Sequence, residues 1–173
     1  MPAPETFHTA RLVLTRPRAA DEAELARILR DRRVAAMLTE DGTPPSADAV
    51  HAQHEAKLEH WERFGFGLWM ARDLRTGSLV GRGGLQFAFA KGLHEVEAAW
   101  TIAPERWGQG LAGELAAACV EVGFASLELP RVIALTTPEN AASLRVMEKA
   151  GFHFERTMRD LHPPLVLYVR ERC

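Results

Sequence analysis

The stretch "ERWGQGLAGE", residues 105–114, carries three glycines spaced as G-x-G-x-x-G between an apolar segment and a predicted helix. The glycines are Gly108, Gly110 and Gly113. This spacing occurs in loops that bind dinucleotides, in loops that bind other phosphates and in turns without a ligand, so alone it is a weak signal. The rest of the chain has to decide among these interpretations.

The size and composition of the chain predict one globular domain spanning residues 1–173. Of the 173 residues, 47% are hydrophobic and 25% are charged. The net charge of -2 gives no general attraction for nucleic acid or an anionic membrane, so we expect neither as a partner. The start, "MPAPETFHTA", lacks a basic segment followed by an apolar run, and no stretch approaches the roughly 20 apolar residues of a membrane span. We therefore expect a cytoplasmic protein.

Neither the cysteines nor the histidines indicate a disulfide or a metal site. Cys119 falls in a helical pattern and Cys173 is the last residue, so we expect no disulfide and a buried thiol at Cys119. His51, His54 and His60 lie on one predicted helix without Cys or carboxylate partners at ligand spacing. This pattern favours a solvated helix face over a metal site.

Strand and helix patterns follow one another without a linker or repeat. Seven strands are predicted, at residues 11–17, 65–73, 77–87, 94–104, 131–137, 153–159 and 164–172. Four helices are predicted, at about residues 19–31, 47–63, 111–127 and 140–151. Residues 39–46 are rich in turn formers, which indicates an exposed loop. The order predicts a mixed α/β (α+β) fold.

The position of the glycines nearly excludes a Rossmann dinucleotide-binding fold. That fold needs the fingerprint in its first strand–helix–strand unit and an acidic residue roughly 20 positions later, at the end of the second strand. Here strands precede the loop, only 60 residues follow Gly113, and the nearest acidic candidate, Glu128, lies at a helix end.

The same loop remains suited to a phosphate group. Gly108 and Gly110 let the backbone approach a ligand closely, and the helix that starts near Leu111 directs unpaired N–H groups the same way. The helix dipole adds about half a positive charge there, so such a corner can bind a pyrophosphate. Arg106 either adds its charge to this site or is merely solvated.

Four segments of the chain resemble the GNAT superfamily of acyl-coenzyme A-dependent N-acetyltransferases, and within it the RimJ/RimL-like ribosomal-protein N-acetyltransferases. The segments are "ARLVLTRP", "HWERFGFGLWMA", "EAAWTIAPERWGQGLAGE" and "PENAASLRVMEKAGF". The resemblance implies a mostly antiparallel, twisted sheet of about seven strands, splayed between strands 4 and 5 and flanked by helices. It also implies acetyl-CoA as the acetyl donor, no metal, and direct attack by a primary amine in a ternary complex.

The family motif Gln/Arg-x-x-Gly-x-Gly/Ala, whose loop amides hold the coenzyme A pyrophosphate, falls on one run of this chain: Trp107, Gly108, Gln109, Gly110, Leu111 and Ala112. Trp107 departs from the superfamily's Gln or Arg, although Trp-Gly-x-Gly is common in this branch. The departure leaves the pyrophosphate to backbone amides. An alternative interpretation of Trp107 is an aromatic side chain that packs beside the loop.

A second motif of this branch, Asn-x-x-Ser, falls on Asn140 and Ser143. The resemblance implies that these residues lie near the pantetheine arm and the thiol of the coenzyme. The competing explanation is local, because Thr137 is able to cap a helix and Pro138 suits a first helical position.

The leaving thiolate needs a hydrogen-bond donor. Many superfamily members have a tyrosine seven residues after the Asn, but this chain has Met147 there. Its one tyrosine, Tyr168, lies in the last predicted strand. Ser143 is therefore the hypothesised donor to the sulfur.

Acetyl transfer also needs a neutral amine, which requires a base. Glu95 and Glu97 share a face of one predicted strand, just before the point where relatives splay that strand. Glu97 is the candidate base, directly or through water, and the alternative is a solvated strand carboxylate. The resemblance further implies that backbone N–H groups of Trp100, Thr101 and Ile102 polarise the thioester carbonyl and bind the pantetheine.

The amine acceptor stays open at this stage. A protein N-terminal α-amine and a small-molecule amine are about equally favoured, and scattered carboxylates such as Glu40 and Asp41 could attract a cation. Outside the enzymes, a catalytically degenerate acyl-CoA-binding sensor or scaffold is kept open by the missing motif tyrosine. A homodimer also stays open, because the apolar patch that it requires cannot be read from a sequence.

Overall fold

The computed structural model describes residues 2–172, with the side chain of Ala90 excluded, and Cys173 lies outside the described residues. An eight-stranded sheet forms its centre, with the order β1-β2-β3-β4-β5-β6-β8-β7. Its strands are β1 (Thr6–His8), β2 (Leu12–Thr15), β3 (Leu68–Asp73), β4 (Leu79–Phe87), β5 (Val96–Ile102), β6 (Arg131–Thr136), β7 (His153–Met158) and β8 (Leu165–Glu171). Neighbouring strands are antiparallel except for β5 and β6, which confirms the predicted mixed fold with a mostly antiparallel sheet.

Five α-helices lie among residues 2–172. They are α1 (Glu22–Leu29), α2 (Arg32–Leu38), α3 (Ala47–Phe64), α4 (Leu111–Ala125) and α5 (Ala141–Lys149). The predicted loop at residues 39–46 connects α2 to α3. In this part of the chain, none of the helices combines the length and apolar character needed to cross a membrane.

The sequence patterns do not predict two of these elements. β1 pairs with β2 through Phe7 opposite Leu14, but its three residues are too few to show an alternating pattern. With β1 the sheet has eight strands rather than about seven. The predicted splay between strands 4 and 5 therefore corresponds to β5 and β6 in this numbering. α2 begins after Asp31, whose side chain accepts a hydrogen bond from the backbone N–H of Arg33. The predicted first helix, at about residues 19–31, instead takes Asp31 as its last residue.

α4 packs an apolar stripe against one face of the sheet. Leu111, Leu115, Cys119 and Val122 are all buried, as their helical spacing predicts. β4 approaches α4 so closely at Gly83 that a Cβ there would lie 2.4 Å from Cδ2 of Leu115. A residue with a side chain would therefore push the helix away. Burial raises the pKa of the Cys119 thiol to about 12, which agrees with the predicted buried thiol.

α1 and the first half of α3 cover the opposite face. Strand residues alternate between faces, so Arg82 of β4 and Met70 of β3, which are paired, lie on the other side from Gly83. Met70 packs there against apolar residues of the two helices: Leu25, Leu29 and Val50. This face carries the polar part of the candidate site.

The histidines of α3 correct one expectation. His51 is exposed, and its Nδ1 lies 2.7 Å from Oε2 of Glu22, which raises the pKa of His51. His54 is only 1% exposed, with Nε2 2.9 Å from the carbonyl oxygen of Arg18. His60 is half-buried, and burial lowers its pKa. The predicted solvated face is thus wrong for His54 and His60, and among residues 2–172 no group of three or more His, Cys, Asp or Glu could hold a metal ion.

Candidate active site

β5 and β6 run parallel but pair at one position. Glu97 is opposite Ile133, and beyond this pair β5 continues to Ile102 and β6 to Thr136 without further pairing. One backbone edge of β5 therefore faces a gap in the sheet. The carboxyl ends of parallel strands lie at the same edge, so the segments that follow β5 and β6 meet beside this gap.

Trp107 is tied to the end of β5. Its Nε1 donates a hydrogen bond to the carbonyl oxygen of Ile102 at 2.8 Å, while the residue stays 42% exposed. The hydrogen bond fixes the position of the ring, but much of the residue is still exposed to solvent. The alternative interpretation, an aromatic side chain that packs beside the loop, therefore describes Trp107 only in part. Trp100 and Thr101, which the resemblance places near the pantetheine, are half-buried along the strand beside the gap.

The glycine loop, residues 107–113, turns from β5 into α4 through two left-handed residues. Gly108 has φ +74° and Gly110 has φ +77°, and Gly110 immediately precedes the first residue of α4. Residues with a Cβ adopt such a conformation at a cost of about 1–3 kcal/mol. A Cβ at Gly108 or Gly113 would meet no atom within 4 Å, so the space beside the loop is open.

Consecutive backbone N–H groups in the glycine loop, from Gly108 to Gly113, find no acceptor among residues 2–172. The next N–H, that of Glu114, donates to the carbonyl of Gly110 at 3.1 Å and starts the helical ladder. Free N–H groups at a helix start carry the positive end of the helix dipole and bind anions. Exposed amides, open space and glycine conformations together fit a diphosphate.

Two arginines hold the glycine loop in place, and both are already paired. Arg11 donates from Nη1 to the carbonyl of Gln109 at 2.7 Å and from Nε to Oε2 of Glu114 at 2.8 Å. Arg106 donates from Nη2 to Oδ2 of Asp73 at 2.7 Å and from Nε to Oε1 of Gln109 at 3.0 Å. The hydrogen bond from Arg106 is the main reason why the pKa of Asp73 is lowered to about 2. Arg106 is thus neither a free charge for a phosphate nor a solvated side chain.

Asn140 and Ser143 lie at the start of α5, after the carboxyl end of β6. Asn140 Oδ1 accepts a hydrogen bond from the backbone N–H of Ser143 at 3.1 Å, so Asn140 is the N-cap. The cap is therefore not Thr137, and the helix begins at Ala141 rather than at Pro138. The local explanation holds for the Asn140 oxygen, and it leaves the Asn140 amide nitrogen and the Ser143 hydroxyl for other partners.

Met147 and Tyr168 lie away from the gap. Met147 is 2% exposed and belongs to the apolar core. Tyr168 is on β8, opposite Ala134 of β6, and its ring packs edge-on against Phe154 with centroids 5.8 Å apart. Ser143 lies in the first turn of α5, the helix that follows the carboxyl end of β6.

Glu97 is buried and hydrogen-bonded to polar side chains, so the alternative of a solvated strand carboxylate is wrong. The residue is 2% exposed. Its Oε1 accepts a hydrogen bond from Nε2 of Gln86 at 2.6 Å, and its Oε2 accepts one from Nζ of Lys91 at 2.5 Å. Lys57 donates from Nζ to Oε1 of Gln86 at 2.7 Å. Sequence reasoning missed both lysines, because neither lies on the strand that carries Glu97.

Glu95 does not join Glu97. It precedes β5, and its Oε1 accepts a hydrogen bond from Nε of Arg131 at 2.6 Å. Arg131 also binds Glu155 at 2.8 Å, so Glu95 belongs to an ion-pair network that links β5, β6 and β7. Its role is therefore structural.

Arg82 completes the group around Glu97, which we call the buried polar cluster after its two buried residues, Arg82 and Glu97. Its other members are the half-buried Lys57, Gln86 and Lys91 and the exposed Gln53. Arg82 is 7% exposed, its Nη2 donates to Oε1 of Gln53 at 2.5 Å, and its Nη1 is buried without a partner among residues 2–172. Burial lowers the pKa of Arg82 to about 10. The pKa of Lys57 is lowered mainly by burial and to a smaller extent by the charge of Arg82.

A cavity of about 90 Å³ adjoins the buried polar cluster on the α1–α3 face. It is lined by residues of α1, α2, α3 and the loop at 39–46: Leu29, Leu38, Thr39, Pro45, Ala49, Val50 and Gln53. A larger cavity of about 410 Å³ lies at the β1–β2 edge, three strands from the gap. Glu40 and Asp41 are exposed in the loop, where Asp41 Oδ1 accepts a hydrogen bond from the N–H of Thr43, which lowers the pKa of Asp41.

A protein family and a known relative match much of this chain. Residues 11–153 match the acetyltransferase (GNAT) domain family. YkkB of Bacillus subtilis (strain 168) is 36% identical over 108 residues, which cover 62% of this chain and 63% of that protein, less than two thirds of its length.

Solved structures share the fold. A protein assigned to the GNAT-family acetyltransferases from Bordetella pertussis has a TM-score of 0.82 at 27% identity, covering 96% of this chain and 99% of that one. The aminoglycoside acetyltransferase AAC(6')-Ib, solved with coenzyme A and kanamycin, has a TM-score of 0.77 at 22% identity, covering 93% and 95%. Since the family match extends over most of the sequence, from β2 through the glycine loop to α5, the chain belongs to the GNAT acetyltransferase family.

Proposed function

We propose that the protein is an N-acetyltransferase of the RimJ/RimL-like branch, which transfers the acetyl group of acetyl-CoA to a primary amine, with residues 1–173 acting as one domain. The observation that carries the proposal is the run of backbone N–H groups without acceptors in the glycine loop, beside a gap between parallel strands. A diphosphate needs several hydrogen-bond donors at once, and these amides offer them without rearrangement.

The residues for the acetyl donor line the carboxyl edge of the gap. Acetyl-CoA supplies the acetyl group as a thioester. The N–H groups of the glycine loop and the first turn of α4, including those of Gln109 and Ala112, would hold its diphosphate. The free backbone edge of β5 from Trp100 to Ile102 would bind the pantetheine and polarise the carbonyl. Asn140 and Ser143 would approach the arm from the start of α5.

Glu97 acts on the amine acceptor. A protonated amine has no lone pair, and the pKa is about 10.4 for a lysine-like amine and about 8 for an α-amine. Glu97 Oε2 accepts the proton, directly or through water. Lys91 donates to that oxygen in this structure, so the incoming ammonium takes the place of Lys91 Nζ.

Ser143 acts on the leaving sulfur. As the amine nitrogen bonds to the acetyl carbon, the carbon–sulfur bond breaks and negative charge passes to the sulfur. The Ser143 hydroxyl donates a hydrogen bond to it, and modest help is enough because a thiol pKa is near 8.5.

A catalytically degenerate acyl-CoA-binding sensor or scaffold is the second candidate. Met147, buried in the core where relatives have a tyrosine, favours it. So does the contact between Glu97 and Lys91, which must open before Glu97 accepts a proton.

The test combines binding with turnover. Calorimetric titration with acetyl-CoA is followed by measurement of free thiol released from acetyl-CoA in the presence of small amines and of peptides with free N-termini. Binding with thiol release supports the enzyme, and binding without release over the whole panel supports the sensor. NAD, a dinucleotide diphosphate without pantetheine, is the control ligand and should not bind. Absence of acetyl-CoA binding contradicts both candidates.

A further inference from the structure

The buried polar cluster holds more positive than negative charge. Lys57, Arg82 and Lys91 are its cations, and Glu97 is its one carboxylate. Glu97 is engaged by Lys91, so Lys57 and Arg82 have neutral glutamine oxygens as their partners. Arg82 is buried and Lys57 is half-buried. A cation in such a place is unfavourable when neutral oxygens replace only part of its hydration and no carboxylate balances its charge.

Arg82 is the least satisfied member of the cluster. A buried donor without an acceptor costs stability, and charged donors cost more than neutral ones. Native proteins pair nearly all buried polar groups, so an unpaired guanidinium nitrogen calls for an acceptor from outside the chain. Arg82 Nη1 is such a donor within residues 2–172.

Arg82 is placed where an acceptor molecule could reach it. Its hydrogen-bond partner Gln53 lines the 90 Å³ cavity, and Arg82 itself does not, so a ligand in the cavity reaches Arg82 only if Gln53 moves aside. Across the sheet Arg82 is paired with Thr101 of β5, next to the gap. On β4 it shares a face with Gln86, the partner of Glu97, four residues away.

We propose that Arg82 binds a carboxylate of the amine acceptor, and that the acceptor is therefore a small molecule carrying both a primary amine and a carboxylate. The inference rests on the proposed function and narrows its substrate. The ammonium pairs with Glu97, while the carboxylate supplies the counter-charge that Arg82 and Lys57 lack. A guanidinium suits a carboxylate because it donates in the plane of the two oxygens.

The strand geometry sets the length of this acceptor. Four residues of a strand span about 13 Å, and the long side chains of Arg82 and Glu97 shorten the distance that the ligand must bridge. The amine and the carboxylate are thus separated by several carbon atoms. A cavity of about 90 Å³ accommodates a group of a few heavy atoms such as a carboxylate, since one water takes up about 30 Å³.

The experiment compares matched amines with and without the carboxylate. The probes are ω-amino carboxylates with two to six methylenes, such as 5-aminopentanoate, and the corresponding carboxamides, with thiol release from acetyl-CoA as the readout. For the wild type we expect kcat/KM to favour the carboxylate by about tenfold or more at the best chain length. In Arg82→Met the preference should fall to about one, mainly through KM, and Arg82→Lys should retain part of it.

The controls separate this inference from the proposed function. Arg27→Met removes a charge from the exposed side of α1 and should keep the preference. Acetyl-CoA binding should be the same in all four proteins. If no amine is acetylated, calorimetric binding of 5-aminopentanoate to the protein with coenzyme A decides: binding to wild type and its loss in Arg82→Met supports the inference. A wild type that treats carboxylate and carboxamide alike, or an Arg82→Met variant that keeps the preference, overturns it. The inference is also overturned if the protein acetylates peptides but none of the small amines.

Discussion

The glycine loop follows the end of β5, whereas the buried polar cluster lies on one face of β4 and β5, and the two regions offer different kinds of chemical group. In the glycine loop the groups without a partner are backbone amides, while the nearby arginines are held in ion pairs. In the buried polar cluster the available groups are side chains, and the charges of Lys57 and Arg82 have no carboxylate partner among the cluster's contacts. The first surface depends on the conformation of the chain, and the second depends on which residues stand there. Substitutions should therefore act through backbone geometry in one region and through side-chain charge in the other.

The largest effect is expected at Glu97. Replacement of a general base typically lowers turnover by about 10²- to 10⁴-fold, so Glu97→Gln should reduce kcat by that amount. Acetyl-CoA binding should not change. Glu95→Gln is the matched control, because Glu95 is bound to Arg131 outside the cluster. Equal loss in both variants would contradict the role of Glu97 as base.

Gly108 tests the dependence on backbone geometry. A Cβ at a left-handed position costs about 1–3 kcal/mol, so Gly108→Ala should shift the loop and weaken acetyl-CoA binding by about 5- to 150-fold in calorimetry. Gly92→Ala is the control, because Gly92 has φ +72° and equally open surroundings but lies in the turn before the other end of β5. If both variants bind acetyl-CoA as the wild type does, the glycine loop is not the diphosphate site.

Arg82 tests the dependence on side-chain charge through stability. Arg82→Met removes a buried cation that repels Lys57, and such replacements are often neutral or stabilising. We expect the melting temperature of the ligand-free protein to rise by about 2 °C or more. Arg82→Lys, which keeps a buried charge, should not share this gain. A melting temperature that falls in Arg82→Met would show that Arg82 supports the fold instead.

Asn140 separates capping from ligand contact. Asn140→Ala removes the side-chain oxygen that caps α5 and should lower the free energy of unfolding by about 1 kcal/mol in urea titrations. Asn140→Asp retains an oxygen for the cap and should stay close to the wild type in stability. A loss of acetyl-CoA affinity in Asn140→Asp despite normal stability would assign the amide nitrogen to the ligand, whereas normal affinity in both variants would leave capping as its role.

The smallest effect is expected from the ion pair that fixes the glycine loop. The folded pKa of Asp73, about 2, lies below the model-peptide value of 3.8, so the pair with Arg106 contributes stability above pH 3.8 and loses it as the pH falls to about 2. At pH 6 the melting temperature of the wild type should therefore be higher than that of Asp73→Asn, and this difference should vanish near pH 2. A difference that is independent of pH would exclude the carboxylate as its source.

The fold was predictable wherever one segment carries its own pattern. The stripe from Leu111 to Val122 and the alternation in β4 and β5 each repeat often enough to define an element. The three residues of β1 carry no such repeat, and their pairing with β2 is decided in three dimensions. α2 had a recognisable cap in Asp31, but its seven residues follow α1 too closely for two patterns to be separated.

The candidate site divides in the same way. Gly108 and Gly110 could be identified from the sequence because the turn that they make is local. The contact between Arg11 and Glu114 joins residues 103 positions apart, and no local pattern predicts it. The burial of Glu97 and the unpaired nitrogen of Arg82 depend on α3 covering that face of the sheet, which the sequence alone does not place.

The single paired position between β5 and β6 has a mechanical consequence. The two halves of the sheet share few backbone hydrogen bonds, so they are held together largely by α4, which packs on both. The helix contacts β4 at Gly83, and at Gly123 a Cβ would lie 2.8 Å from Cγ2 of Val132 in β6. A bulkier residue at Gly123 would push α4 away from β6. Deuterium uptake should then rise along β5 and β6 before it rises in the outer strands. The gap between β5 and β6, where we propose that acetyl-CoA binds, is thus also the place where the sheet should separate most readily.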